Sequence, residues 1–287
     1  MDWISKKNVL IVGLGLMGGS YARALKRLGF HVIAMDTDAD AIDYALSQGI
    51  VDRGYARVDE DAVRDADAII FALYPAVFLK WVKSYQHLFK PGLMMTDVTG
   101  VKACVVYDIQ AMLRPDVEFI AAHPMAGREV YGVRNSDDRI FRDANYIVVP
   151  TEKNTAAGID WCKSLGRLLG FRCISVLSPE EHDEMIGFVS QLTHCIAVSL
   201  MTCSDNTHLV DYTGDSFRDL TRIARINETM WSELFMMNRE PLLRQMDIFL
   251  KEFAAFRDLL KAGDVEGMKD KMRLSTARRA MFDKTKK

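Results

Sequence analysis

Val9-Leu10-Ile11-Val12-Gly13-Leu14-Gly15-Leu16-Met17-Gly18 is the stretch on which the fold turns. Four apolar residues without interruption read as a strand covered on both faces, as in a parallel sheet. The G-x-G-x-x-G spacing that follows opens a helix and reads as a phosphate-binding turn. Gly13 would allow the tight turn, Gly15 the approach of backbone to a pyrophosphate and Gly18 close helix–strand packing, with the first helical residues Leu16 and Met17 facing the negative charge. Asp36 ends the next apolar run 18 positions after Gly18, where a carboxylate accepts hydrogen bonds from ribose hydroxyls; Thr37 follows it. These residues predict a dinucleotide site. NAD is expected over NADP, because Asp36 would oppose a 2′-phosphate and Thr37-Asp38 brings no arginine, the nearest downstream being Arg53.

Outward from this turn, apolar runs recur at residues 32–35, 68–73, 93–96, 119–122, 146–149 and 173–177, alternating with helix-like segments. That order predicts an α/β fold of Rossmann type, a parallel sheet with helices on both faces. After residue 177 the pattern changes. Ser178-Pro179-Glu180-Glu181 is a capping box with proline at the first helical position, and Met185, Val189, Leu192, Ile196 and Leu200 then recur at helical spacing. Residues 1–177 are therefore expected to form the dinucleotide-binding domain and residues 178–287 an all-helical domain.

The whole chain of 287 residues, 49% hydrophobic and 26% charged, has the balance of a globular protein. Lys and Arg number 37 against 39 Asp and Glu, which leaves no basic excess for nucleic acid. No membrane segment or signal peptide stands out, so a cytoplasmic protein is expected. The five cysteines form no C-x-x-C pair and are expected to be reduced core residues; no metal-ligand spacing appears among the six histidines.

Residues 117–122 lead as a strand into His123-Pro124-Met125-Ala126-Gly127-Arg128-Glu129, placing His123 at the carboxyl edge of the sheet, where ligands of such sheets bind. A dehydrogenase acting on a carbinol must take the hydroxyl proton as well as the hydride, and histidine titrates nearest neutral pH, so His123 is the candidate general base. Arg218, Arg222 and Arg225 share a helix face, either as a site or as a solvated surface paired with Asp215 and Asp219. Gln191 and His194 share a face of the long helix, and a solvent-facing His194 fits the spacing equally well.

The sequence resembles the prephenate/arogenate dehydrogenase family of tyrosine biosynthesis. The glycine turn through Gly19-Ser20, the segment from His123 to Glu129 with Gly132, and Phe217-Arg218-Asp219-Leu220-Thr221-Arg222-Ile223 followed by Trp231 carry the resemblance. It implies an NAD-dependent oxidative decarboxylation of prephenate to 4-hydroxyphenylpyruvate, with arogenate as the alternative substrate, and a helical domain that forms a homodimer. By this resemblance His123 is the catalytic histidine, Arg222 holds a substrate carboxylate, and His194 is a second pocket histidine. Glu129, Gln191 and Trp231 line the same pocket. Where many relatives carry serine, this chain has Gly100, and neighbouring Thr99 is the candidate to supply the missing hydroxyl, with water or backbone as the alternative. A reading of another class remains, a non-catalytic NAD-binding sensor.

Overall fold

The computed structural model describes residues 3, 8–128, 130–205 and 208–282. Strand β1 (Asn8–Val12) leads through the glycine turn into α1 (Leu16–Arg27). There follow β2 (His31–Met35), α2 (Ala39–Ser47), β3 (Arg53–Tyr55), α3 (Glu60–Asp65), β4 (Ala68–Phe71), α4 (Pro75–Tyr85), β5 (Met94–Asp97), α5 (Ala103–Met112) and β6 (Glu118–Phe119). Their strands make one parallel sheet of order β3-β2-β1-β4-β5-β6. Val9, Ile11, Val32, Ala34 and Ile70 pack one face against Tyr21 and Leu25 of α1 and Ile42 of α2. Leu10, Val12, Ile33, Ile69 and Phe71 pack the other against Val63, Phe78 and Ile109. Burial on both faces is why these strands read as continuous apolar runs. β3 gave no such run because its three residues, Arg-Gly-Tyr, sit at the sheet edge.

The run expected at 119–122 is where sequence and structure part. The Ile120 N–H still bonds the Met95 carbonyl, but the next donor, the N–H of Ala122, turns to the Asp97 side chain at 3.1 Å. The chain thus leaves the first sheet. As β7 (Ala121–Met125) it pairs antiparallel with β8 (Asn145–Val149); then α6 (Ala156–Leu169) leads to β9 (Cys173–Val176), parallel to β8. The expected single parallel sheet is two sheets. His123 accordingly lies inside β7, opposite Ile147, and not beyond a strand end.

The capping box at Ser178 forms as read, its hydroxyl accepting from the Glu181 N–H while the Glu181 carboxylate accepts from the Ser178 N–H. It starts a continuous helix of 24 residues, α7 (Pro179–Ile186), a π-turn (Gly187–Leu192) and α8 (Thr193–Thr202). α9 (Leu209–Tyr212), α10 (Asp215–Thr221), a 3₁₀ turn (Arg222–Ala224) and α11 (Glu228–Met237) follow, with no strand after Val176 among the described residues. By its own packing the chain divides into Met1–Asn238 and Arg239–Lys287. The second unit is a pair of helices, α12 (Arg239–Ala262) and α13 (Val265–Ala280), joined through Gly263 at φ +68° and capped by the Asp264 carboxylate.

The cysteines correct the expectation of core residues. Cys162 is buried and Cys104 and Cys195 are half-buried, but Cys173 and Cys203 are exposed. Cys173 opens the edge strand β9 and Cys203 caps α8, positions without a covering layer.

Two glycines of the turn make a test. A Cβ on Gly13, at φ +95°, would lie 2.3 Å from the Ala72 carbonyl oxygen, whereas one on Gly15 would meet nothing within 4 Å. Gly13→Ala should lower stability by at least about 1–3 kcal/mol in urea unfolding. Gly15→Ala should change stability by less than about 0.5 kcal/mol and weaken dinucleotide binding instead. Equal stability losses would contradict these separate roles.

Candidate active site

At the glycine turn, Gly18 approaches so closely that its Cβ would lie 1.9 Å from the Gly13 carbonyl oxygen. Gly15 is the N-cap of α1 and supplies no side-chain cap, so the first-turn N–H groups carried by Leu16, Met17 and Gly18 face the open side of the turn. Asp36 does two jobs. Its Oδ2 accepts from the Leu14 N–H at 2.5 Å and its Oδ1 from the Asp38 N–H at 2.9 Å, fixing the turn while the carboxylate lines a cavity of about 250 Å³. Thr37 is exposed beside it. The same cavity is lined by Tyr131 and Arg134 from the β7–β8 connection, with the Arg134 guanidinium 4.3 Å from the centre of the Tyr44 ring. Arg134 lies far beyond Arg53 in the chain, so closeness in sequence to Asp36 gave no sign of it. An uncapped helix N-terminus, open space over Gly15 and a carboxylate lining the cavity beside the turn fit a dinucleotide.

At the carboxyl end of β5 the turn 97–102 folds around the ammonium of Lys102, which has no exposed surface. Nζ donates to Asp97 Oδ2 at 2.7 Å, the Ala122 carbonyl at 2.6 Å and Thr99 Oγ1 at 3.1 Å. Burial lowers the Lys102 pKa and the Asp97 carboxylate opposes that shift. Thr99 is corrected here. The residue is 4% exposed, and its hydroxyl donates to the Asp97 carboxylate and accepts from Lys102, so it holds the turn and is not offered to a substrate. Gly100 does adjoin the site: a Cβ there would lie 3.8 Å from Leu234 and 4.0 Å from His123 Cε1, room enough for a serine.

His123 Nδ1 lies 2.9 Å from Nε2 of His182, and His182 Nδ1 lies 2.7 Å from Asp183 Oδ1. The Asp183 carboxylate also accepts from the N–H groups of Lys102 and Ala103, each at 2.8 Å, at the start of α5. Burial, with His182 and Lys102 beside it, holds His123 well below the ordinary histidine pKa. Burial also lowers His182, against the pull of Asp183. His182 and Asp183 were missed from sequence; the signal was a His-Asp pair one turn into a capped helix.

Gln191 is 1% exposed and corrected likewise. Its Nε2 donates to the Leu234 carbonyl at 3.1 Å and its Oε1 accepts from Asn238 at 2.7 Å, so it joins helices where a substrate contact was expected. His194 is half-buried, its Nδ1 donating to the Ser190 carbonyl at 2.9 Å, and its ring centre is 3.8 Å from that of Trp231 on α11. Arg222 is exposed on the 3₁₀ turn, which packs on α8. α11 thus joins the parts, with Trp231 at His194, Leu234 at Gly100, and Glu233 accepting from the Ala76 N–H at the start of α4 at 3.1 Å. Glu129 lies outside the described residues.

A glycine turn on a parallel sheet, a half-buried histidine hydrogen-bonded to a His-Asp pair, and a helical segment that meets Gly100 and the start of α4 are the parts of a two-part dehydrogenase. A family model described as the prephenate dehydrogenase nucleotide-binding domain matches residues 21–175, and one described as the prephenate dehydrogenase dimerization domain matches residues 178–274. The chain is 29% identical to the prephenate dehydrogenase of Bacillus subtilis (strain 168) over 92% of its length and 72% of that protein. It is 32% identical to the prephenate dehydrogenase of Lactococcus lactis subsp. cremoris (strain MG1363) over 85% of its length and 69% of that protein. The crystal structure of prephenate dehydrogenase from A. aeolicus in complex with hydroxyphenyl propionate and NAD+ superposes with a TM-score of 0.89 at 29% identity, covering 98% of this chain and 100% of that one. The chain belongs to the prephenate dehydrogenase family.

Were His123 the base, its neutral form would be the active one, and the depressed pKa would set the direction of the pH response. kcat/KM should hold as pH falls toward about 6.5, the ordinary histidine value, and decline only below it. An acid limb centred at or above 6.5 would show His123 to be solvated.

Proposed function

We propose that the protein is an NAD-dependent prephenate dehydrogenase, converting prephenate to 4-hydroxyphenylpyruvate and carbon dioxide, with His123 as the general base. The observation that carries this reading is the half-buried His123 of β7, hydrogen-bonded at Nδ1 to His182 and with its Cε1 4.0 Å from where a Cβ on Gly100 would lie, a position that Leu234 of α11 also adjoins. NAD bound over the glycine turn supplies the hydride acceptor. His123 takes the proton of the ring hydroxyl as hydride leaves the same carbon, giving a dienone. The bond to the ring carboxylate then breaks, its electron pair enters the ring, and the proton held on His123 returns to the phenol oxygen. Arg222 is the proposed partner of a substrate carboxylate, a guanidinium being suited to bidentate contact. His194 stacked on Trp231 forms a wall of the pocket. Glu129 is kept from the family motif.

Residues 1–177 are proposed to bind the cofactor and 178–287 to complete the pocket and dimerise. The two family matches meet between 175 and 178, which supports that division. Ile248, Leu250 and Phe253 on α12 are each more than half exposed, as a dimerising surface requires. The helix 179–202 is long and apolar enough to cross a membrane, yet it carries His182, Asp183 and His194 into the site. We therefore place the protein in the cytoplasm. Arogenate is the second reading for the substrate, differing only by an amino group on the side chain.

Prephenate and arogenate, assayed side by side for NADH absorbance and carbon dioxide release, test the reading. No turnover of either would leave the NAD-binding sensor as the better account. His123→Asn should lower kcat roughly 10²–10⁴-fold while dinucleotide affinity survives. Arg222→Ala should raise KM, at a cost of about 2–5 kcal/mol if the ion pair is desolvated in the assembled enzyme. A KM within twofold of the parent would remove Arg222 from the site.

Cofactor choice gives a further test. NAD should be preferred, and Asp36→Ala should raise NADP use relative to NAD about tenfold or more, since the carboxylate opposing the 2′-phosphate is gone. Arg134→Ala in that background should reverse the gain, Arg134 being the basic residue lining the cavity. An unchanged preference in Asp36→Ala would show that Asp36 serves only the turn.

A further inference from the structure

Behind His123 runs a chain of hydrogen-bonded groups, His182 and then Asp183. Asp183 is 3% exposed and its two oxygens face two main-chain donors, Lys102 N–H and Ala103 N–H, at the start of α5. Each oxygen of the carboxylate is thus engaged as an acceptor, the only role a carboxylate oxygen has. The contact of 2.7 Å to His182 Nδ1 is therefore a bond donated by the imidazole. His182 has no exposed surface, burial lowers its pKa, and the Lys102 ammonium also disfavours its charge. A neutral imidazole has one N–H; with Nδ1 protonated, His182 Nε2 is a bare acceptor. At 2.9 Å from it, His123 Nδ1 must be the donor, and the Nε2 of a neutral His123 is left as a lone pair.

We propose that His182 and Asp183 are positioning residues that fix His123 in the tautomer whose Nε2 accepts the substrate proton; this rests on His123 being the base. The opposite assignment would need a doubly protonated His182 in a buried place beside Lys102, or an imidazole lone pair set against a carboxylate oxygen. The relay does more than orient. When His123 takes the proton at Nε2, its Nδ1–H already points through His182 to a carboxylate, so the imidazolium forms facing negative charge and no group has to reorient. Asp97 and Lys102, the other charged groups behind the site, bond each other and leave Asp183 as the carboxylate of the chain.

The test is ¹⁵N NMR of histidine-labelled full-length protein, with His123 assigned from the resonances missing in His123→Asn. The parent should show a non-protonated Nε2 and a protonated Nδ1 on His123. His182→Phe removes the acceptor and should mix or invert the tautomers, lowering kcat about 10- to 100-fold, with KM and dinucleotide affinity within twofold. His182→Gln, whose amide oxygen can accept from Nδ1, should recover much of the kcat. A protonated Nε2 on His123 in the parent, or a His182→Phe enzyme with unchanged tautomer and kcat, would overturn the proposal. So would equal losses in the Phe and Gln variants, which mark a packing role. The tautomer is read without turnover, so failure of His123 as the base would appear separately, as an active His123→Asn enzyme.

Discussion

The buried ammonium of Lys102 is the constraint on which the site depends. A charge with no exposed surface is tolerated only if paired and hydrogen-bonded, and here the Asp97 carboxylate, the Thr99 hydroxyl and the Ala122 carbonyl surround it. Each partner belongs to a different piece of backbone: the end of β5, the turn after it, and the residue before His123. One ion pair therefore sets how β5 of the first sheet meets β7, the first strand of the second. Removing one partner of such a pair costs about 3–5 kcal/mol, because the other is left charged and buried. The main-chain N–H of the same residue, with that of Ala103, holds Asp183, so that the sheet and the long helix are aligned at one turn.

The helical side is held by polar contacts of the same kind. Asn238 donates to both the Asp183 carbonyl and Gln191, and Gln191 in turn bonds the Leu234 carbonyl. These three residues tie α7, the π-turn and α11 at the level of His182. The π-turn lies between the two histidines of one helix, His182 and His194, and changes the phase at which they project. Regular α-helix would keep residues twelve apart near 120° of each other; the wider turn lets one serve the buried relay and the other meet Trp231.

Local patterns were legible and long-range ones were not. The glycine turn and the capping box depend on residues within a few positions of each other, and each formed as its spacing required. The switch of sheets at Ile120 left no trace, because an apolar run is equally apolar whichever partner it pairs with. Thr99 and Gln191 were read as substrate contacts since their types and neighbourhood allowed it. Only the fold shows that Lys102 and Asp97 take up the one, and Leu234 and Asn238 the other. His182 went unnoticed because a histidine acquires meaning from what it touches, and His123 is 59 positions away.

Cofactor selectivity and turn geometry converge on one side chain. Asp36 spends one oxygen on the Leu14 N–H and the other on the Asp38 N–H, both within the segments that shape the cavity. Each carboxylate oxygen has a second lone pair, so ribose hydroxyls can be accepted without giving up either bond. A 2′-phosphate would bring charge to an oxygen already fixed in place, and the turn could not move aside without losing the contact that holds it. Arg134 cannot offset this by simple approach, because its guanidinium rests over the Tyr44 ring and would have to leave it. The hydrogen bonds that build the turn are thus the ones that would oppose a 2′-phosphate, which would tie the choice of cofactor to the fold of the first forty residues.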